Sequence, residues 1–268
     1  MTQQEIQELN DYTANRFVKQ EDTAQDDTFL LQWQEWLSDG SAPSEILNTH
    51  LCRKLPVNFA APEKISIEIH DSPAGNVPVV VFGDASDFED FITNLIYKGT
   101  RPDNLQQMGA SFIYGKVQRF LVLSRKYYSN ATPEYMNLSP EDWREKSMII
   151  RREHELTHYY TKRFYGSATN NLHDELIADF MGLYSAFGHY SGEVFRHFMG
   201  LDGTGEGRLS LYTSGLSQNV REAVRELAFR CSEWLEGWQM TQEFGRMDGK
   251  ERIDFLCELG IVGMSSTN

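Results

Sequence analysis

Cysteine, histidine and positive charge are all scarce in this chain of 268 residues. The three cysteines, Cys52, Cys231 and Cys257, are an odd number, lie far apart and show no CxxC spacing. That excludes a disulfide framework and a thiolate metal site, and leaves small buried apolar residues of a reducing compartment. Lysine and arginine number 25 against 39 acids, giving a net charge of −14, so neither nucleic acid nor an anionic membrane is an expected partner. The longest apolar run, roughly 78-PVVVF-82, is too short to cross a bilayer. The opening MTQQEIQELN lacks the basic-then-apolar order of a signal peptide, and the expectation is a cytoplasmic protein. Repeats, low-complexity tracts and the GxSxG nucleophile motif are missing as well. The glycine-rich 201-LDGTGEGRL-209 lacks the GxxxxGK[ST] lysine and follows a helical pattern, so it reads as a flexible turn and not a phosphate cradle. Arg208 within it is a candidate for polarising a substrate carbonyl.

What is present describes a globular chain: 40% of residues are hydrophobic and 12% aromatic. Residues 1–60 carry apolar residues at helical spacing, among them Ile6, Leu9 and Tyr12, then Leu31, Trp33 and Trp36. The pattern then changes to strands: 64-KISIEIHD-71 alternates, and 77-VPVVVFG-83 is continuously apolar. An amphipathic helix around Phe88–Ile96 with Gly99 as its stop comes next, followed by 111-SFIYG-115 and 118-QRFLVLS-124 around a Gly-Lys turn. After residue 139 only helical patterns remain. Ser139-Pro140-Glu141-Asp142 starts a helix that Gly166 stops, and further helices are predicted over about 171–189 and 217–239. The expected fold class is α+β, with an α/β lobe over 1–138, a helical lobe over 139–268 and a cleft between them.

The long helix holds 151-RREHELTHYY-160. At about 100° per residue, His154 and His158 stand about 40° apart and one turn from each other, so both imidazoles reach one point. Glu155 lies on the same side, where a general base for a metal-activated water belongs. Ile149, Leu156 and Tyr160 form an apolar stripe roughly opposite, which lets the histidine side face a cleft. Downstream stands 173-HDELIAD-179, also in helical pattern. Glu175 follows His158 by 17 residues, enough for a loop and a return in an antiparallel helix. Two histidines and a carboxylate leave a tetrahedral zinc one open position, the catalytic arrangement. Asp179, one turn after Glu175, is suited to accept the other ring N–H of a ligating histidine. His50, His70, His189 and His197 have no partner at ligand spacing.

The pair HELTH and DELIAD resembles the gluzincin branch of the zincin metallopeptidases, HExxH followed by a glutamate in an ExxxD helix, over residues 154–179. The resemblance implies one zinc ion held by His154, His158 and Glu175, with Glu155 as base and Asp179 supporting a ligating histidine. It further implies a zincin-like fold in which a mixed sheet precedes the active-site helix and its edge strand borders the cleft. A peptide or protein is then the substrate, with no nucleic acid and no membrane as partner. The metzincin extension is absent, since Thr161 and Phe164 occupy its glycine and histidine positions. No motif marks the group that stabilises the oxyanion; Tyr165 and His173 join Arg208 as candidates. Two rivals remain. One is a zincin-like shell without catalysis that binds a metal or a partner. The other is an HD-type metal phosphohydrolase, through the adjacent His173-Asp174, although those enzymes are all-helical.

Overall fold

The structure is a computed structural model and describes residues 1–20, 27–115, 118–166, 171–203 and 207–266. The chain forms two compact units. One comprises residues 24–128 and 132–155; the other comprises 1–23, 129–131 and 156–268. The division falls inside one continuous helix, after Glu155, and not at residue 138 where strand patterns give way to helical ones. The N-terminal helix α1 (Gln3–Thr13) belongs with the C-terminal half.

The sheet unit opens with α2 (Thr28–Ser38) and the short α3 (Pro43–Ile46), which widens into a looser turn over Leu47–Leu51. Strands β1 (Ile65–Ser72) and β2 (Gly75–Phe82) form an antiparallel hairpin that turns at Pro73-Ala74, with Ser72 paired to Gly75. Helix α4 (Ala85–Leu95) crosses over before β3 (Ala110–Tyr114) and β4 (Arg119–Ser124). The spatial order is β1-β2-β4-β3, with β2 parallel to β4 and the outer pairs antiparallel. The sheet is therefore mixed, as the resemblance implies. β2 and β4 are central and carry the most continuous apolar runs, because both of their faces are covered. Trp33, Leu47, Val80, Phe82, Phe91 and Val122 lead the core beneath them. Asp84 caps α4 by accepting from the N–H groups of Ser86 and Asp87. The buried Asp87 carboxylate in turn ties down the Ala60 and Ala61 amides.

Helix α5 (Pro140–Tyr165) has the 26 residues its punctuation predicts. Ser139 accepts from the Asp142 N–H at its start, and Gly166 turns away at φ +67° at its end. The helical unit continues with α6 (Leu172–Phe187), α7 (Gly192–Met199), α8 (Leu209–Thr213), α9 (Gln218–Trp238), α10 (Gln242–Arg246) and α11 (Gly249–Met264). Helices α6 and α9 match the expected spans to within two residues at each end. α11 escapes the periodic reading because Gly260, at φ +74°, interrupts its helical backbone. No strand occurs after residue 139 among the described residues. α6 packs against α9 and α11 and is buried almost all the way round. The three cysteines are free and buried. Among the described residues, no helix is long and apolar enough to cross a membrane.

Candidate metal centre

A helix buried on every side has no water to solvate its charges, so each charge needs a protein partner or an ion. α6 nonetheless carries His173, Asp174, Glu175 and Asp179, all buried. Their partners describe the site. Asp174 Oδ2 lies 3.0 Å from His158 Nδ1, and its other oxygen accepts from the Thr161 hydroxyl at 3.1 Å. Glu175 Oε1 lies 3.5 Å from His158 Nε2. Asp179 Oδ2 accepts from Arg208, whose second terminal nitrogen is 3.7 Å from Glu175 Oε2.

His154 stands one turn before His158 on the same unbroken helix, which sets the spacing of the two rings. Its Nδ1 lies 3.0 Å from the Tyr128 hydroxyl. Tyr128 is itself seated by the Ser147 hydroxyl, which accepts from its backbone N–H, and by the Arg151 guanidinium 5.6 Å over its ring. Arg151 donates to the carbonyls of Ser124 and Lys126, just past β4, and so anchors this part of α5 to the end of that strand. His154, His158 and Glu175 each present one ligand atom, and the three atoms lie within 4.8 Å of one another.

The residues fit a divalent zinc. His154 Nδ1 faces the Tyr128 hydroxyl and His158 Nδ1 faces Asp174, so Nε2 is the ring atom through which each would hold a metal. A tetrahedral zinc with bonds of about 2.1 Å keeps its ligand atoms about 3.4 Å apart, close to the 3.5 Å between His158 and Glu175. Three buried carboxylates gather here, Glu175 and Asp179 beside Arg208 and Asp174 beside His158, a setting that suits a cation. Burial opposes protonation of His158, but Asp174 and then Glu175 outweigh it and raise the ring's pKa well above the ordinary value. Proton and metal thus compete for the same nitrogen. Glu155 is half-buried, and its carboxylate has no hydrogen bond or ion pair to the described residues.

Residues 44–119 and 116–268 match a family of unknown function, DUF7005. The chain belongs to that family. The match takes in α5, α6 and Arg208, and with them the whole donor set. No curated protein and no solved structure matches the chain.

Several expectations are corrected at the level of side chains. The carboxylate beside His158 Nδ1 is that of Asp174, at 3.0 Å, while Asp179 holds Arg208. Tyr165, a candidate for the oxyanion, instead donates to Asp254 at 2.8 Å and packs edge-on against Phe17. Asp254 also accepts from Tyr160 and binds Lys19, so this cluster fastens the N-terminal segment and α5 to α11. His173 bonds the Leu256 carbonyl through Nε2, and burial lowers its pKa, which keeps it neutral. His173 and Asp174 turn to different partners, His173 to the Leu256 carbonyl and Asp174 to His158 and Thr161. Arg208, a candidate for polarising a substrate carbonyl, lies beside Glu175. Part of the turn that carries it, 204–206, lies outside the described residues, as does Lys116 of the Gly-Lys turn. Tyr128 had no signal in the sequence. Asp174 had one, its place directly before the candidate ligand.

Proposed function

We propose that the protein is a zinc-dependent hydrolase of peptide or amide bonds, similar to the gluzincin metallopeptidases and zincin-like in the order of sheet, active-site helix and glutamate helix. The observation that carries this reading is the donor set: His154, His158 and Glu175 within 4.8 Å, each histidine with Nδ1 already engaged. A zinc ion on these three ligands supplies a Lewis acid and one open position at which water becomes acidic near neutral pH. Tyr128 and Asp174 orient the two imidazoles and fix their tautomers, with the proton on Nδ1. Glu155, next in sequence to His154 and with its carboxylate unengaged, takes the proton of the attacking water and returns it to the leaving amine. Arg208 stands beside the far oxygen of Glu175, paired directly with Asp179.

The burial of His154 and Glu175 favours one other reading, a closed site in which the metal is purely structural. Protein purified without added metal is expected to contain about one zinc per chain and to cleave members of a broad peptide library. Glu155→Gln should abolish cleavage while retaining the zinc. Zinc without cleavage in the wild type would select the structural reading, and full activity in Glu155→Gln would remove Glu155 as the base.

A further inference from the structure

Asp179 and Arg208 form an ion pair that ligation does not require, and the pair lies against the carboxylate that ligation does require. Asp179 is fully buried, one turn after Glu175 on α6. Arg208 stands at the start of α8, and its backbone N–H bonds the Phe198 carbonyl at 3.0 Å. The preceding Gly207 sits directly on the backbone of Met199 and Gly200, where a Cβ would come within 2.1 Å of Met199 and 2.0 Å of Gly200. The base of the arginine is thus fixed, and only the direction of its guanidinium is left to be decided.

The distances show how it is decided. The guanidinium makes a direct hydrogen bond to Asp179, whereas its approach to Glu175 Oε2 is a looser ion pair of 3.7 Å. The opposite oxygen, Oε1, faces His158 Nε2. Without Asp179, the planar fork of the guanidinium would close on Glu175, since bidentate pairing is its strongest mode with a carboxylate. The metal would then lose a ligand and gain a like charge nearby.

We propose that Asp179 is a counter-ion that holds Arg208 off Glu175 and so keeps that carboxylate available to the metal. Asp179 is then a positioning residue that acts through an arginine, while support of the ligating histidine belongs to Asp174. The inference rests on the metal-centre reading above, and its test separates the two.

Zinc affinity would be measured by competition with a chromophoric chelator for wild type, Asp179→Asn, Arg208→Met, the Asp179→Asn/Arg208→Met double variant, Asp174→Asn and Asp174→Asn/Arg208→Met. Thermal unfolding of each metal-free protein would be recorded in parallel. Asp179→Asn should lose on the order of 10- to 100-fold in zinc affinity, and adding Arg208→Met should restore most of it. The loss caused by Asp174→Asn should not be restored by the same addition. Arg208→Met alone should bind zinc at least as tightly as wild type, a readout that stands even if Asp179→Asn fails to fold. Unchanged affinity in Asp179→Asn, a loss that persists in its folded double variant, or weaker binding by Arg208→Met would overturn the proposal. A wild-type protein that takes up no zinc would overturn the metal-centre reading itself, and the proposal with it.

Discussion

Replacing Tyr128 by phenylalanine removes a single oxygen and isolates the hold on His154. The ring stays, and with it the packing under the Arg151 guanidinium 5.6 Å away. What goes is the 3.0 Å contact between the hydroxyl and His154 Nδ1. In the metal-free protein the loss is that of an ordinary hydrogen bond, about 1 kcal/mol. With zinc on Nε2 the proton must sit on Nδ1, and a buried N–H deprived of its acceptor costs about 1–3 kcal/mol. The difference between the two states, up to about 2 kcal/mol, is a weakening of zinc binding of up to about 30-fold. Chelator competition at pH 7.5 reads the affinity, and chemical denaturation in excess chelator reads the stability. A folded Tyr128→Phe protein whose zinc affinity stays within about twofold of wild type would refute the assignment of the hydroxyl as the acceptor for His154.

Three other outcomes test the structure more widely. Tyr165→Phe should lower stability by about 1 kcal/mol in a urea melt through loss of the Asp254 hydrogen bond, and leave zinc affinity and any turnover unchanged. Gly207→Ala should destabilise the protein by about 1–3 kcal/mol by the same assay, because its methyl group would have to displace backbone. Asp84→Ala should cost about 1 kcal/mol at pH 7 as α4 loses its cap. The hydrogen bonds from Ser86, then Asp87, hold the Asp84 carboxyl below its ordinary value of 3.8. Its contribution is therefore complete above that value and is lost as pH falls through the lower folded value, so wild type and variant should converge in acid.

Much of the candidate site was legible without the fold because it is written in the period of a helix. Any helix through 154–158 puts two imidazoles one turn apart with a carboxylate beside them. Ser139-Pro140 and Gly166 bound that helix by local chemistry alone, which is why its length agrees with the structure. The strands were legible for a similar reason, since β2 and β4 are covered on both faces and must be continuously apolar. The approach of Glu175 to His158, 3.5 Å in the structure, was expected from the 17 residues between them.

Tertiary packing decided which partner each charged side chain took. Asp174 and Asp179 both lie within one turn of Glu175 on α6, and either could have served a histidine by spacing. The rotation of α6 among α9 and α11 brings Asp174 to His158 and turns Asp179 to Arg208, and that rotation is set by contacts far apart in sequence. The same packing sends Tyr165 and His173 toward α11, whose broken period hid it from the sequence. Tyr128 belongs to no motif, because its role exists only where the loop after β4 meets α5. Local periodicity thus determined the candidate ligands, and long-range burial determined what lies against each of them.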